Sequence, residues 1–278
     1  METAVIIGGD LRNFHLYNLC RSHTVNVTLM GFEKRDRQFA VEKHLLANQP
    51  LIIGPIPLTL DGSLLYMPFS TTQMTLAELN DILAPNTTFV TGLGGIPFEL
   101  PAIKLIDLTQ NERFLLKNAI PTVEGIIEIL IRESDRTIHN SRTLVLGLGR
   151  IGTRLSKVLR DLGSNMTIAS GSPIEKENAL REGYQHIHLS ELPHATFDFD
   201  YIINTIPSIY LTKDVLDRIN TDTLILDIAS MPGGIDRKYA EHTHHQVIIA
   251  RGIPGKSSPR TGASDMFDAI SDSIKDFK

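Results

Sequence analysis

The stretch Val145-Leu146-Gly147-Leu148-Gly149-Arg150-Ile151-Gly152 has the glycine spacing of a phosphate-cradling turn. Between a strand and a helix, each glycine of such a turn has its own task. Gly147 permits the tight bend, Gly149 lets backbone come close to a pyrophosphate, and Gly152 lets the helix pack against the strand. Arg150 and Ile151 open the following helix, whose N-terminal N–H groups and partial positive charge favour an anion. The alternative is an ordinary strand-to-helix turn with no ligand.

The flanking residues decide in favour of a ligand. Thr143–Leu146 is a short apolar run that reads as a buried strand. Ile151, Leu155, Val158, Leu159 and Leu162 recur as one face of a helix. Gly163 is a stop signal, and Met166–Ala169 reads as the next strand. Strand, glycine turn, helix and strand in succession indicate a dinucleotide-binding unit.

Which dinucleotide depends on the end of that second strand, where an acidic residue would bind ribose hydroxyls and repel a 2′-phosphate. The chain reads Ser170-Gly171-Ser172-Pro173 there, and the first carboxylate is Glu175. Ser170, Ser172 and nearby backbone N–H groups suit a phosphate, and Arg150 supplies a charge for it or for the pyrophosphate. The loop favours NADP, with NAD as the alternative and a tolerant site as the third possibility.

These residues need a scaffold, and the whole chain is long enough for two domains. It has 278 residues, 42% hydrophobic and 21% charged, as in a globular protein. A net charge of −5 offers no basic field to nucleic acid or to an anionic membrane. No apolar run approaches the ~18 residues of a membrane span, and no signal peptide is legible. The single Cys20 excludes an intrachain disulfide and suits a reducing cytoplasm; its apolar-periodic helix makes it a buried thiol. The cluster His242, His244 and His245 reads as a polar turn, so no metal is expected. A homo-oligomer is compatible with the sequence.

In the first half, strands at 4–7, 25–29, 51–53, 64–67, 88–91 and 103–107 alternate with helices at 13–20 and 76–83. A connecting helix follows from Pro121, and later strands fall at 201–204, 223–227 and 247–250. Gly262–Phe277 reads as a last helix that returns to the first half. The pattern predicts an α/β protein of two doubly wound parallel-sheet domains with a cleft between them, the second a Rossmann dinucleotide-binding domain. Residues 1–118, joined by 262–278, form the expected substrate domain, and 119–261 the nucleotide domain.

Longer oligopeptides carry a family likeness. They are Ile120–Gly125, Thr137-Ile138-His139, the glycine turn, Ile203-Asn204-Thr205-Ile206-Pro207, Leu226–Ser230 with Pro232-Gly233-Gly234, and Gly252–Lys256 with Pro259-Arg260-Thr261. In the first half only Gly8-Gly9-Asp10 and Arg12 match clearly. With these the chain resembles the A-subunit family of bacterial dipicolinate synthase. The resemblance implies oxidation of dihydrodipicolinate to dipicolinate with hydride transfer to NADP, and a flavoprotein-like dipicolinate synthase B subunit as partner. It also implies that Asn204, Thr205 and Pro207 line the cofactor.

A pyridine dicarboxylate is a flat dianion, so its site needs two cationic or N–H-rich clamps. Arg12, Lys256, Arg260 and Thr261 are the candidates, with Arg12 on the first domain and the others on the last loop of the second. Asp10, His139 and Asp227 are alternative general bases that spacing does not separate; solvent could also take the proton. Two departures from the family pattern stand out. Gly171 replaces a usual basic residue, and Met231 replaces a usual Lys or Arg.

Three rival readings remain in view. One is an oxidoreductase for another small dicarboxylate or imino acid. Another is a D-2-hydroxyacid dehydrogenase, which shares the layout, but Arg251 is a poor match for its arginine and no Glu–His pair follows the late strands. The third is a non-catalytic nucleotide sensor, for which no DNA-binding helix pair is legible.

Overall fold

The computed structural model describes residues 3–95, 103–195, 197–274 and 277. Contacts divide the chain into two compact units, one of Met1–Pro121 with Pro254–Lys278, the other of Thr122–Ile253.

Unit 1 begins β1 (Ala4–Ile7), α1 (Leu11–Ser22), β2 (Val27–Met30), β3 (Leu51–Ile53), α2 (Leu76–Ile82), β4 (Thr88–Thr91) and β5 (Lys104–Asp107). Its five strands are all parallel, in the order β2-β1-β3-β4-β5. That order reverses between β1 and β3, as in doubly wound sheets. The reason both faces must be covered is visible in β1: Ala4 and Ile6 enter one apolar cluster, Val5 and Ile7 another, and all four are buried.

The apolar run at 64–67 is not a strand. Leu64 and Leu65 make only isolated antiparallel bridges to Thr75 and Thr59. Leu65 and Met67 are buried, so the run packs into the core without extending the sheet. The connecting helix, α3 (Glu112–Glu133), starts well before Pro121, which lies inside it. Its opening signal is Asn111, whose side chain accepts the Phe114 N–H at 3.0 Å.

Unit 2 contains β6 (Arg142–Leu146), α4 (Arg150–Asp161), β7 (Asn165–Ser170), α5 (Pro173–Arg181), β8 (Gln185–His188), β9 (Tyr201–Asn204), α6 (Lys213–Leu216), β10 (Leu224–Asp227), α7 (Arg237–Ala240) and β11 (Gln246–Ile249). The six strands are parallel and run β11-β10-β9-β6-β7-β8. This is the strand order of the dinucleotide-binding fold, with its reversal between β6 and β9. Val145 and Ile203 face one apolar cluster, Leu144, Leu146 and Ile202 the other.

The chain then enters α8 (Ile253–Ser257) and α9 (Pro259–Ser273), with Pro259 in the first turn of α9. Ala263, Met266, Phe267 and Ile270 of α9 join Leu16 and Cys20 of α1 in one core cluster. This burial draws Pro254 onward into unit 1, so the contact boundary falls at Ile253 and not at 261. Lys256, Arg260 and Thr261 fall in the same contact unit as Arg12.

Candidate functional site

In unit 2 the glycine turn joins β6 to α4, and its three glycines differ sharply. Gly147 has φ +87°, and a Cβ on it would lie 2.7 Å from Thr205 Oγ1. A Cβ on Gly152 would meet the Gly147 carbonyl oxygen at 2.1 Å. A Cβ on Gly149 would meet nothing within 4 Å. The first and third glycines are thus closed by protein, and the second alone faces open space. Gly149 is also the N-cap of α4, and no side chain caps it. An open backbone at an uncapped helix start fits a pyrophosphate.

Beside this turn lies the end of β7. Ser170 is 1% exposed, and its hydroxyl pairs with His186 Nε2 at 3.0 Å. Burial, followed by the charge of Lys176, holds the His186 imidazole below its ordinary pKa. Ser172 caps α5 by accepting the Glu175 N–H at 3.5 Å. Glu175 in turn accepts the Leu148 N–H at 3.3 Å, which brings a carboxylate to the glycine turn. Neither serine is idle, and sequence reasoning missed that Glu175 folds back so far. The only hint was its place one turn into the helix after β7.

The ends of β9 and β10 are braced together. Asn204 donates from Nδ2 to Asp227 Oδ1 at 2.8 Å and to the Ile206 carbonyl at 2.9 Å. Thr205 Oγ1 donates to the Leu146 carbonyl at 2.7 Å, tying β9 to the glycine turn. Pro207 is exposed just beyond. Asp227 has 0% exposure and also accepts from the Ala229 and Gly234 N–H groups. These three hydrogen bonds tie the end of β10 to β9 and to the loop that follows.

Arg251 and Arg237 stand next to it. A Cβ on Gly233 would lie 2.8 Å from Asp227 Oδ2, 3.0 Å from Arg251 Nη2 and 3.7 Å from Arg237 Nη2. Arg251 Nε donates to the Ala229 carbonyl at 3.1 Å, and its Nη1 rests against Met231 Sδ. No sequence signal pairs these two arginines, because 14 positions and a whole strand separate them.

His139 is remote from this end. It is exposed, precedes β6, and its ring covers Gly163, where a Cβ would meet Nδ1 at 2.2 Å. That is the amino edge of the sheet, opposite the carboxyl ends where ligands bind.

In unit 1, Asp10 and Arg12 are 6% and 2% exposed. Asp10 caps α1 through the Arg12 N–H at 2.9 Å and forms an ion pair with Arg12 Nη2 at 2.8 Å. Arg12 Nη2 also donates to the Ile56 carbonyl. Gly262 of α9 packs on the Arg12 stem, where a Cβ would be 2.7 Å from Cδ. The guanidinium expected to clamp a ligand is instead buried in the fold. Lys256, Arg260 and Thr261 are exposed. A Cβ on Gly255 would fall 2.0 Å from Asp10 Oδ2, so α8 lies directly over the buried pair. No group of histidine, cysteine or carboxylate residues suited to a metal occurs among the described residues.

Comparison with known proteins agrees with the chain's layout. Residues 3–96 match the N-terminal domain of the dipicolinate synthase A subunit. The dipicolinate synthase A subunit of Bacillus subtilis (strain 168) is 31% identical over 277 residues, covering 96% of this chain and 93% of that protein. The chain belongs to the dipicolinate synthase A-subunit family. Two solved structures of family members superpose closely. The crystal structure of the A subunit from Bacillus subtilis has a TM-score of 0.80 at 30% identity, over 99% of this chain and 96% of that one. The A subunit from Bacillus halodurans has a TM-score of 0.82 at 25% identity, over 98% and 97%. A transhydrogenase from Sinorhizobium meliloti shares the fold at 12% identity, with a TM-score of 0.64 over 99% of this chain and 92% of that one. Among the described residues no helix is long and apolar enough to cross a membrane.

Proposed function

We propose that the chain oxidises dihydrodipicolinate to dipicolinate with NADP as acceptor, working in the cytoplasm beside a flavoprotein-like B subunit. The observation that carries this reading is the open backbone of Gly149 at the uncapped start of α4, within a chain of this family. Bound there, a nicotinamide dinucleotide supplies the hydride acceptor. Gly149, Arg150, Ile151 and the backbone of Gly152 would hold its pyrophosphate, and Thr205 and Pro207, at the end of β9, would contribute to the same site.

The reaction removes a hydride and a proton from the ring, and aromaticity of the product provides driving force. Asp10 and Asp227 are buried and engaged, so the proton leaves to water rather than to either carboxylate.

The finer choice of NADP rests on the absence of a carboxylate directly after β7, and on Lys176 acting on His186 beside Ser170. Glu175 works in the opposite sense, since its carboxylate lies at Leu148. The balance is measurable. Purified chain, alone and with the B subunit, is supplied with the condensation product of pyruvate and aspartate semialdehyde. Reduced nicotinamide and dipicolinate should accumulate together, faster with NADP than with NAD. Ser170→Asp should shift the preference towards NAD by repelling the 2′-phosphate, and Glu175→Gln should shift it further towards NADP. Nucleotide binding without turnover, with the B subunit present, would replace this reading with a nucleotide sensor.

A further inference from the structure

Arg237 and Arg251 are a cationic pair with more donors than partners. Arg237 Nε and Nη2 and Arg251 Nη2 are buried and make no hydrogen bond. Neither guanidinium forms an ion pair among the described residues. Glu241 stands one turn after Arg237, where an i,i+4 ion pair is available, yet the two do not pair. Asp227 meets both arginines around Gly233, but three N–H donors already occupy it. Two positive charges therefore share one engaged negative charge. Burial and the neighbouring Arg237 both lower the Arg251 pKa, which is the direction expected where a counter-ion is lacking.

Room for such a counter-ion lies alongside. Arg237 lines a cavity of about 290 Å³ between α7 and β11. Ile235, Val247 and Ile249 give it an apolar wall, and Glu241, Thr243 and His245 complete the lining. A guanidinium beside an apolar wall suits a small organic anion with a flat or aliphatic body. A guanidinium fork matches a carboxylate best.

We propose that this cavity is a carboxylate-binding site of unit 2, in which Arg237, reinforced by Arg251, pairs the carboxylate while Val247 and Ile249 hold the body of the ligand. The proposal goes beyond the oxidation assigned above and does not depend on it. The carboxylate can come from the reaction's own dicarboxylate or from an unrelated acid, and the arms of the test separate these sources.

Benzoate, dipicolinate and acetate are each titrated calorimetrically into the intact chain, with a melting curve and circular dichroism as controls on folding. Benzoate should bind more tightly than acetate, because only its ring covers the apolar wall. Arg237→Met should weaken it by about ten- to a hundredfold, the value of a charge-assisted hydrogen bond. Arg237→Lys, which keeps the charge and the fold, should retain part of the affinity. Dipicolinate binding lost in the same variants would identify the reaction's own acid as the ligand; benzoate binding alone would identify an unrelated one. The site is overturned if wild-type protein takes up none of the three, or if Arg237→Met and Arg237→Lys bind as wild type does.

Discussion

Asn204 and Asp227 end adjacent strands and meet side by side, Nδ2 to Oδ1 at 2.8 Å, with no exposure of either residue. The register of β9 and β10 puts them opposite one another. Asn204 then reaches Ile206, and Asp227 reaches Ala229 and Gly234, so one pair shapes the loops at two strand ends.

Removing Asp227 should therefore be costly to the fold before it is costly to chemistry. Asp227→Ala strands three buried donors, and each unmet group costs about 1–3 kcal/mol. A fall of several kcal/mol in urea denaturation is expected. A stable Asp227→Ala protein with lost turnover would instead make Asp227 the base.

The glycines of the turn should separate folding from binding. Gly152→Ala drives a methyl into the Gly147 carbonyl, a backbone atom that has no way to yield, and should destabilise unit 2. Gly149→Val enters open space and should leave thermal stability nearly intact. NADP affinity should nevertheless fall by more than about tenfold, or 1.4 kcal/mol. Calorimetry and a melting curve on both variants check the contrast.

Arg12→Ala leaves the Asp10 carboxylate buried without its partner, a change that costs about 3–5 kcal/mol in comparable pairs. The expected outcome is a lower denaturation midpoint, with NADP affinity unchanged in the protein that remains folded. A variant as stable as wild type but unable to bind dipicolinate would restore Arg12 as a substrate clamp.

Burial pushes the Cys20 thiol up to about 12 from an ordinary value of 9.0. A folded-state pKa raised in this way contributes stability that is complete below pH 9 and is lost as pH climbs towards 12. Native protein should resist a thiol reagent at neutral pH and react with one equivalent once unfolded in urea. Rapid reaction of the native chain would mean that α1 and α9 separate readily.

Much of this was legible from local pattern. Strand, glycine turn, helix and strand at 143–169 declare themselves because a parallel sheet buries both faces and a pyrophosphate needs bare backbone at a helix start. The oligopeptides at 203–207 and 226–234 pointed to the same family that the comparisons established. Local pattern misjudged Leu64–Met67, since an apolar run says that a segment is buried but not that a neighbouring strand is there to pair with it. It also misjudged Pro121, because a proline accepted inside a long helix looks the same as one that begins it.

The site residues divide along the same line. Residue type and spacing determined that Gly147, Gly149 and Gly152 form a turn, because each requirement there is met by backbone a few residues away. Whether Arg12 would be exposed or buried depended on Asp10, Ile56 and Gly262 converging on it. Only the tertiary structure decided that, as it decided the meeting of Arg237 with Arg251. A charged side chain takes its role from whatever neutralises it, and those partners come from distant parts of the chain.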